Sequence, residues 1–508
     1  MHCAISLQAS GPRRTNMAQI ASTVSHSLKE YRLLPRLTEA NENAQSVSLE
    51  TRLCRQDDGY LVLRTPFLSA AMQAVTSVEL AIAMAQLGGM GVFAVSQTIE
   101  EQCARIDAVK RFKAGFQTDI VTLSPEQSID EVIGIINETG YSTFPVTDTG
   151  VFHGKLVGVI TDKDFDERYD RQQRVIDRMK TDVQTGIEED DLKTANTRMI
   201  EYGRGFLPIV SSEGTLVSVV FKKDLDKHIR HPYSTEDAQK RLVVGAAIST
   251  HPEDRERLEA LIEHQADVIV IDASDGHTEY QGETLKWIKA HYDIPVVAGN
   301  VVTREGFNYL ANCGADSVKI GMGIASGCTT QMVKATGRGQ ATSIKEVAAA
   351  RDEWAKTNGD YIPLIADGSI QGPADMLIAL SLGANALMMG NLLARFTESH
   401  GELVRNATGD LVKEYWMEGS RKAFNNRRYA QLASTFFEEG IVGQVPHAGS
   451  VYDKLPIVIQ MLRSGMATTG CPTIEALHHD SILELQSSVS LEDSGVHDMS
   501  TVQSIQEI

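Results

Sequence analysis

Cys328 stands in the stretch 321-GMGIASGCTTQMVKATGRGQ-340, among small residues and just ahead of Thr329 and Thr330. Glycines let a backbone approach a ligand closely, so a thiol in such a loop is either filler or a nucleophile. A nucleophilic cysteine acts as its thiolate and needs surroundings that favour the anion. Other residues able to do chemistry fall at comparable places. Asp272 ends one apolar run and precedes Ala273-Ser274-Asp275-Gly276, and Asp367 ends another and precedes Gly368-Ser369. Gly299-Asn300 and Gly390-Asn391 follow two more such runs. Glycine turns next to helix N-termini suit a phosphate. Taken singly, each Asp reads equally well as a helix N-cap and each Gly as a tight turn. Their joint placement past apolar runs favours a site.

The elements that must position these residues repeat. Short apolar, β-branched runs occur at 66–72, 89–95, 242–248, 266–272, 294–299, 315–321, 361–367 and 384–390. Segments of helical period lie between most of them, at 255–264, 305–313, 343–356 and 373–382. Alternating strands and helices predict an α/β chain, a (β/α)8 TIM barrel, in which strand C-termini share one rim. An open doubly wound sheet is the alternative, but Gly321-Met-Gly323-Ile-Ala-Ser-Gly327 is not the dinucleotide fingerprint such a sheet carries.

Between the second and third strands lie about 120 to 140 residues, far more than one helix and its loops require. That gap holds a repeat, 143-TFPVTDTGVFHGKLVGVITDKDF-165 and 206-FLPIVSSEGTLVSVVFKKDL-225, which predicts an inserted domain of two similar units. After the eighth strand, residues 409–449 are polar, aromatic and irregular and contain 425-NNRRYAQ-431 and Glu438-Glu439. A loop of that length in a compact domain is usually a lid or binding segment; a surface charge cluster is the plain alternative.

Composition narrows the classes. Of 508 residues, 42% are hydrophobic and 23% charged, with a net charge of −19, which argues against a general nucleic-acid surface. The six cysteines, Cys3, Cys54, Cys103, Cys313, Cys328 and Cys471, form no CxxC pair and fit a reducing compartment. No apolar run is long enough to span a membrane. Residues 1–27 contain no acidic residue and read as a disordered leader, with Met17 as an alternative start, or as an organelle transit peptide.

Taken together, the barrel pattern, the inserted repeats, the cysteine loop and the Arg-Tyr segment resemble the IMP dehydrogenase / GMP reductase family over about residues 28–498. The resemblance implies a cytoplasmic homotetramer. Each barrel is built from 28–117 and 232–508, with a tandem CBS (Bateman) domain at 118–231 (units 118–177 and 178–231) and a flap at 409–449. It implies oxidation of IMP to XMP with NAD, in which Cys328 attacks the purine and water later cleaves the thioimidate. Thr330 would handle that water, with Arg428 and Tyr429 as its activating dyad on the flap. The resemblance assigns IMP to Ser326, Asp367, Gly368, Ser369, Gly390, Asn391, Tyr415, Met417, Glu418, Gly419 and Glu439. It assigns NAD to Asp272, Ser274, Gly321, Met322 and Gly323. It implies a monovalent cation, K+, at Gly323, Ala325, Cys328, Asp493, Ser494 and Gly495, although Ala325 replaces the family's glycine and Asp-Ser-Gly its Glu-Gly-Gly. Purine nucleotides would bind the CBS pair through Thr161, Asp164 and Asp224, with Phe221 standing in the second copy where the first has Thr161. GMP reductase and a catalytically silent nucleotide sensor are the rival readings.

Overall fold

A computed structural model of the chain describes residues 18, 20–21, 24–38, 43–56, 59–112, 116–117, 120–190, 192–222, 233–239, 241–424 and 438–494. Residues 1–17, 19, 22 and 23 of the leader expected at 1–27, and Asp224, Arg428, Tyr429 and Gly495, lie outside the described residues.

All eight expected barrel strands form: β1 (Phe67–Ser69), β2 (Gly91–Phe93), β3 (Val244–Ile248), β4 (Val268–Ile271), β5 (Val296–Val301), β6 (Ser317–Ile320), β7 (Leu364–Asp367) and β8 (Ala386–Met389). They pair in parallel in chain order, with β8 against β1. Leu68 bridges Met90 in parallel and brings β1 and β2 together, so the sheet is a nearly closed barrel. The helices between strands are α1 (Val78–Gln86), α2 (Ile99–Arg111), α3 (Asp254–Glu263), α4 (Glu279–His291), α5 (Arg304–Asn312), α6 (Gln340–Asn358) and α7 (Pro373–Ser381), followed by α8 (Val451–Thr468).

Strand alternation explains why these runs are apolar throughout. In β4, Val268 and Val270 enter the barrel interior with Val297, Ile365, Ala386 and Met388. Ile269 and Ile271 face outward into the layer shared with the helices. Both faces are buried, so both are mainly apolar, and a polar strand residue such as Lys319 needs a partner. A hairpin, Thr51–Gln56 with Gly59–Leu63, sends Leu53 and Leu63 into the interior cluster and plugs one end. Asp367 ends β7, and Asp272 and the thiol loop follow the C-termini of β4 and β6, so all three share the other rim.

The inserted region contains two like units. Thr143–Thr147 pairs antiparallel with Leu156–Thr161, as Phe206–Val210 pairs with Leu216–Phe221. Leu156 N donates to Gly214 O, and Leu216 N donates to Gly154 O, both at 3.0 Å, a reciprocal contact between copies. The edges are exchanged as well. Phe116–Gln117, which precedes the first copy, pairs with the second, while Lys180, which precedes the second, bridges to Val159 of the first. The inserted sheet thus begins ahead of residue 118. Lys110 at the end of α2 binds Asp237 (3.0 Å), just past the insertion, so the chain's departure and return are tied together.

The segment 409–449 is less irregular than its composition implies. β9 (Leu403–Arg405), β10 (Leu411–Trp416) and β11 (Val442–Pro446) form an antiparallel sheet. Before the barrel, Ser25 and His26 hydrogen-bond Gly339 and Thr342 (2.7 Å each), so the docked chain includes part of the expected leader. Among the described residues no helix is long and apolar enough to cross a membrane.

Candidate active site

The loop after β6 carries Cys328, half-buried, and is held from several sides. Gly327 O accepts from Ile441 N (3.1 Å), Thr329 N donates to Glu439 O (3.3 Å), and Cys328 bridges Gly440. A Cβ on Gly440 would sit 2.3 Å from Met417 Cβ, so only glycine lets this segment lie so close. Gln331 braces the loop from within by donating to Gly323 O (2.9 Å).

A chain of polar groups leads away from the thiol. Cys328 Sγ lies 3.0 Å from Thr330 Oγ1, which donates to Glu439 Oε2 at 3.1 Å. Glu439 Oε1 meets Lys334 Nζ at 2.5 Å. Thr330 is buried, and Thr330 and Lys334 are one turn apart on the short helix Thr330–Lys334.

A second cluster surrounds Asp367. Its Oδ2 accepts from Lys319 Nζ (2.6 Å) and Asn300 Nδ2 (3.0 Å), and Asn300 also donates to Gly321 O (2.8 Å). Gln340 Nε2 donates to Asp367 O (3.1 Å). At Gly321, φ is 139° and an added Cβ would lie 2.1 Å from Asp367 O, so this turn admits no side chain. Lys319 is the one charged residue of β6, buried and turned to Asp367, and a charge in a barrel strand is the signal in the sequence that could have singled it out. Lys334, Gln331 and Gln340 carried no such signal.

Ser326, Tyr415 and Gly390 converge. The Ser326 side chain lies close enough to act on the Tyr415 phenol, and a Cβ on Gly390 would lie 3.2 Å from the Tyr415 hydroxyl. Burial pushes the Tyr415 phenol up to about 12, partly offset by Ser326. Ser369, at φ 58°, donates to Ile324 O (3.0 Å), which fastens the Gly368-Ser369 turn to the same loop. Gly390 and Asn391 begin the short helix Asn391–Ala394. Ser326, Gly368, Ser369 and Gly390 therefore sit on neighbouring turns, with Asn391 next to Gly390 and Tyr415 of β10 facing them.

Met417 N donates to Ile441 O (3.1 Å) and Gly419 O accepts from Glu439 N (3.0 Å), which sets 417–419 against the thiol loop. The Glu418 carboxylate turns to Gln73 N (2.5 Å) and Ser96 Oγ and leaves its backbone toward the loop. On the far side, Asp272 is half-buried and Ser274 exposed, and Gly276 N donates to Asn300 O (2.8 Å), which locks the β4 and β5 turns together. A cleft of about 430 Å³ lined by His251, Arg255, Tyr280 and Trp287 lies past the end of β3, between α3 and α4. Met322 bridges Arg338 across the base of the thiol loop.

The cation assignment meets a different arrangement. Gly323 O accepts from Gln331 and Ala325 O accepts from Cys328 N (3.0 Å). The Ser494 hydroxyl, next to Asp493 at a helix end, accepts from Arg32 (3.1 Å). Among the described residues of that set, the Gly323 and Ala325 carbonyls each take one hydrogen bond within the loop and keep a lone pair free. In the insertion, Thr161 donates to Asp164 through both its amide (2.8 Å) and its hydroxyl (2.7 Å). Burial raises the Asp164 carboxyl, but Lys180 and Thr161 outweigh it and hold it below the usual range.

The family model described as IMP dehydrogenase / GMP reductase domain matches residues 25–497. The chain is 38% identical to an inosine-5′-monophosphate dehydrogenase of Tritrichomonas foetus, over 95% of this chain and 98% of that protein. It is 38% identical to one from Schizosaccharomyces pombe, over 94% and 92% respectively. Among solved structures it is similar to a GMP reductase of Trypanosoma brucei in complex with guanosine 5′-monophosphate. The TM-score is 0.81 and identity 26%, covering 94% of this chain and 98% of that one.

Proposed function

The chain belongs to the IMP dehydrogenase / GMP reductase family, and on that premise we propose how its residues carry out the family's oxidation. The activity is that of an NAD-dependent oxidoreductase converting IMP to XMP, as its named relatives indicate. The observation that carries the residue assignment is the hydrogen-bonded set Cys328, Thr330 and Glu439 on the same rim as Asp367 with Lys319 and Asn300.

C2 of IMP must lose hydride, which is difficult from a neutral heteroaromatic ring. Cys328 adds first and makes a tetrahedral carbon that can expel it, the usual gain from dividing one hard step into two. Bound NAD supplies the acceptor. Asp367 receives the ribose hydroxyls, with Lys319 and Asn300 fixing one of its oxygens. Ser326, Gly368, Ser369, Gly390, Asn391 and Tyr415 cradle the phosphate; Tyr415, whose phenol is held at about 12, stays a donor across the assay range. Met417, Glu418 and Gly419 meet the purine through their backbone. Asp272, Ser274 and Gly321-Met322-Gly323 flank the nicotinamide. Arg428, supported by Tyr429, is the base for hydrolysis of the thioimidate, and Thr330 with Glu439 offers a second path for the water proton.

We read 118–231 as a tandem CBS domain that binds purine nucleotides, supported by the reciprocal contacts between its copies, and the assembly as a cytoplasmic homotetramer. The test of the chemistry is mass spectrometry of protein quenched with IMP and NAD. A purine adduct on Cys328 is expected, and its absence during turnover refutes the covalent route. The likeness to a GMP reductase supports one second reading. NADPH consumption with GMP, without NADH formation from IMP, would establish it.

A further inference from the structure

We infer that Lys334 is a positioning residue for the nucleophile, acting through Glu439; the inference rests on the reading of Cys328 as that nucleophile. Lys334 and Thr330 face the same way from a single helical turn, and both grip Glu439, one at each carboxylate oxygen (2.5 and 3.1 Å). An ionised carboxylate only accepts hydrogen bonds, and a threonine hydroxyl has one proton. With that proton committed to Glu439, Thr330 Oγ1 offers a lone pair to the Cys328 thiol 3.0 Å away. The chain therefore has a direction. The thiol proton passes to Thr330 Oγ1 as the Thr330 proton passes to Glu439 Oε2. Sulfur keeps the bonding pair and uses it to attack C2, and hydride then leaves to NAD.

Lys334 gives the receiver its form. Its ammonium keeps Oε1 occupied, which stops the carboxylate rotating and leaves Oε2 aimed at Thr330. Glu439 is mostly buried and Lys334 half exposed, so its electrostatic share is moderated by water and the effect is smaller than that of a general base itself. The neighbouring Glu438 binds Arg421 N (3.0 Å) and does not share this role.

The test is the rate of the first NADH burst, followed by stopped flow with saturating IMP and NAD. Lys334→Met slows the burst about tenfold with little change in the KM for IMP, and Lys334→Arg restores most of it. Glu439→Gln slows the burst as well, and Lys334→Met made in that background slows it no further. A Lys334→Met burst at the parental rate overturns the inference. So does a loss that adds in full to that of Glu439→Gln, because the lysine would then act by another route. If the parent protein itself forms no adduct on Cys328, the reading of the nucleophile falls and this inference falls with it. An adduct in the parent with an unaltered Lys334→Met burst overturns this inference alone.

Discussion

Lys319→Met tests the Asp367 cluster most directly. Lys319 Nζ lies 2.6 Å from Asp367 Oδ2, with side-chain exposures of 6% and 23%. Removing one partner of a fully buried ion pair costs about 3–5 kcal/mol, because the other charge is left uncompensated. Asp367 is open enough for water to recover part of that, so about 2 kcal/mol is a fair working value. In IMP binding this corresponds to about thirtyfold. The loss appears in ligand affinity because Lys319 and Asn300 together hold Oδ2 and leave Oδ1 for the ribose hydroxyls. Without the lysine the carboxylate is free to turn away and offers one acceptor fewer. The assay is calorimetric titration of IMP into protein also carrying Cys328→Ser, so that binding is read without turnover. Lys319→Arg retains most of the affinity and serves as the folding control. Asp367→Asn combined with Lys319→Met loses less than the sum of the two single changes, since they share one interaction. Affinity within about twofold of the parent, in a protein with an unchanged melting temperature, would refute the role given to the pair.

Arg428→Ala separates the half-reactions: one equivalent of NADH appears in a burst, then turnover falls at least about a hundredfold with purine retained on Cys328. Loss of the burst itself would move Arg428 to binding or hydride transfer. Replacing 116–231 with a short linker leaves a folded barrel whose activity is within about threefold of the parent and whose response to purine nucleotides is weaker; a folded but inactive deletion protein contradicts this. Burial, followed by the nearby Arg351 charge, pulls His478 down to about 4, below its unfolded value. Between about pH 6.5 and 4 the unfolded chain therefore binds more protons, and stability falls as the pH is lowered through that window. His478→Gln flattens that slope in urea unfolding, and an unchanged slope would show that other groups produce it.

Much was legible along the chain because it depends on local pattern. The eight strands announce themselves as apolar runs, since a barrel strand buries both faces: Val268 and Val270 inward, Ile269 and Ile271 outward. Pro373 at the first turn of α7 marks a helix start for the reason that its missing N–H is not needed there. The rim residues follow from topology, because every parallel strand ends at the same side. The inserted repeat is visible as repeated order.

What the sequence by itself determined is therefore the barrel, its insertion and the set of strand-end residues from which a site could be drawn. Pairings across distance belong to the tertiary structure. Lys319 looks like a misplaced charge in a strand until β7 brings Asp367 beside it. Lys334 reads as an ordinary surface lysine until residue 439, over a hundred positions later, folds against the thiol loop. The edge exchange between the inserted copies, with Phe116–Gln117 completing the second unit, is invisible to a search for repeats because the exchanged strand lies outside its own copy. The loop carbonyls show the same limit: residue types named Gly323 and Ala325, but only the fold revealed that Gln331 and the Cys328 amide donate to them. Periodicity is a property of neighbours along a chain, whereas a hydrogen bond or ion pair depends on three-dimensional distance, which the chain acquires only when the barrel closes.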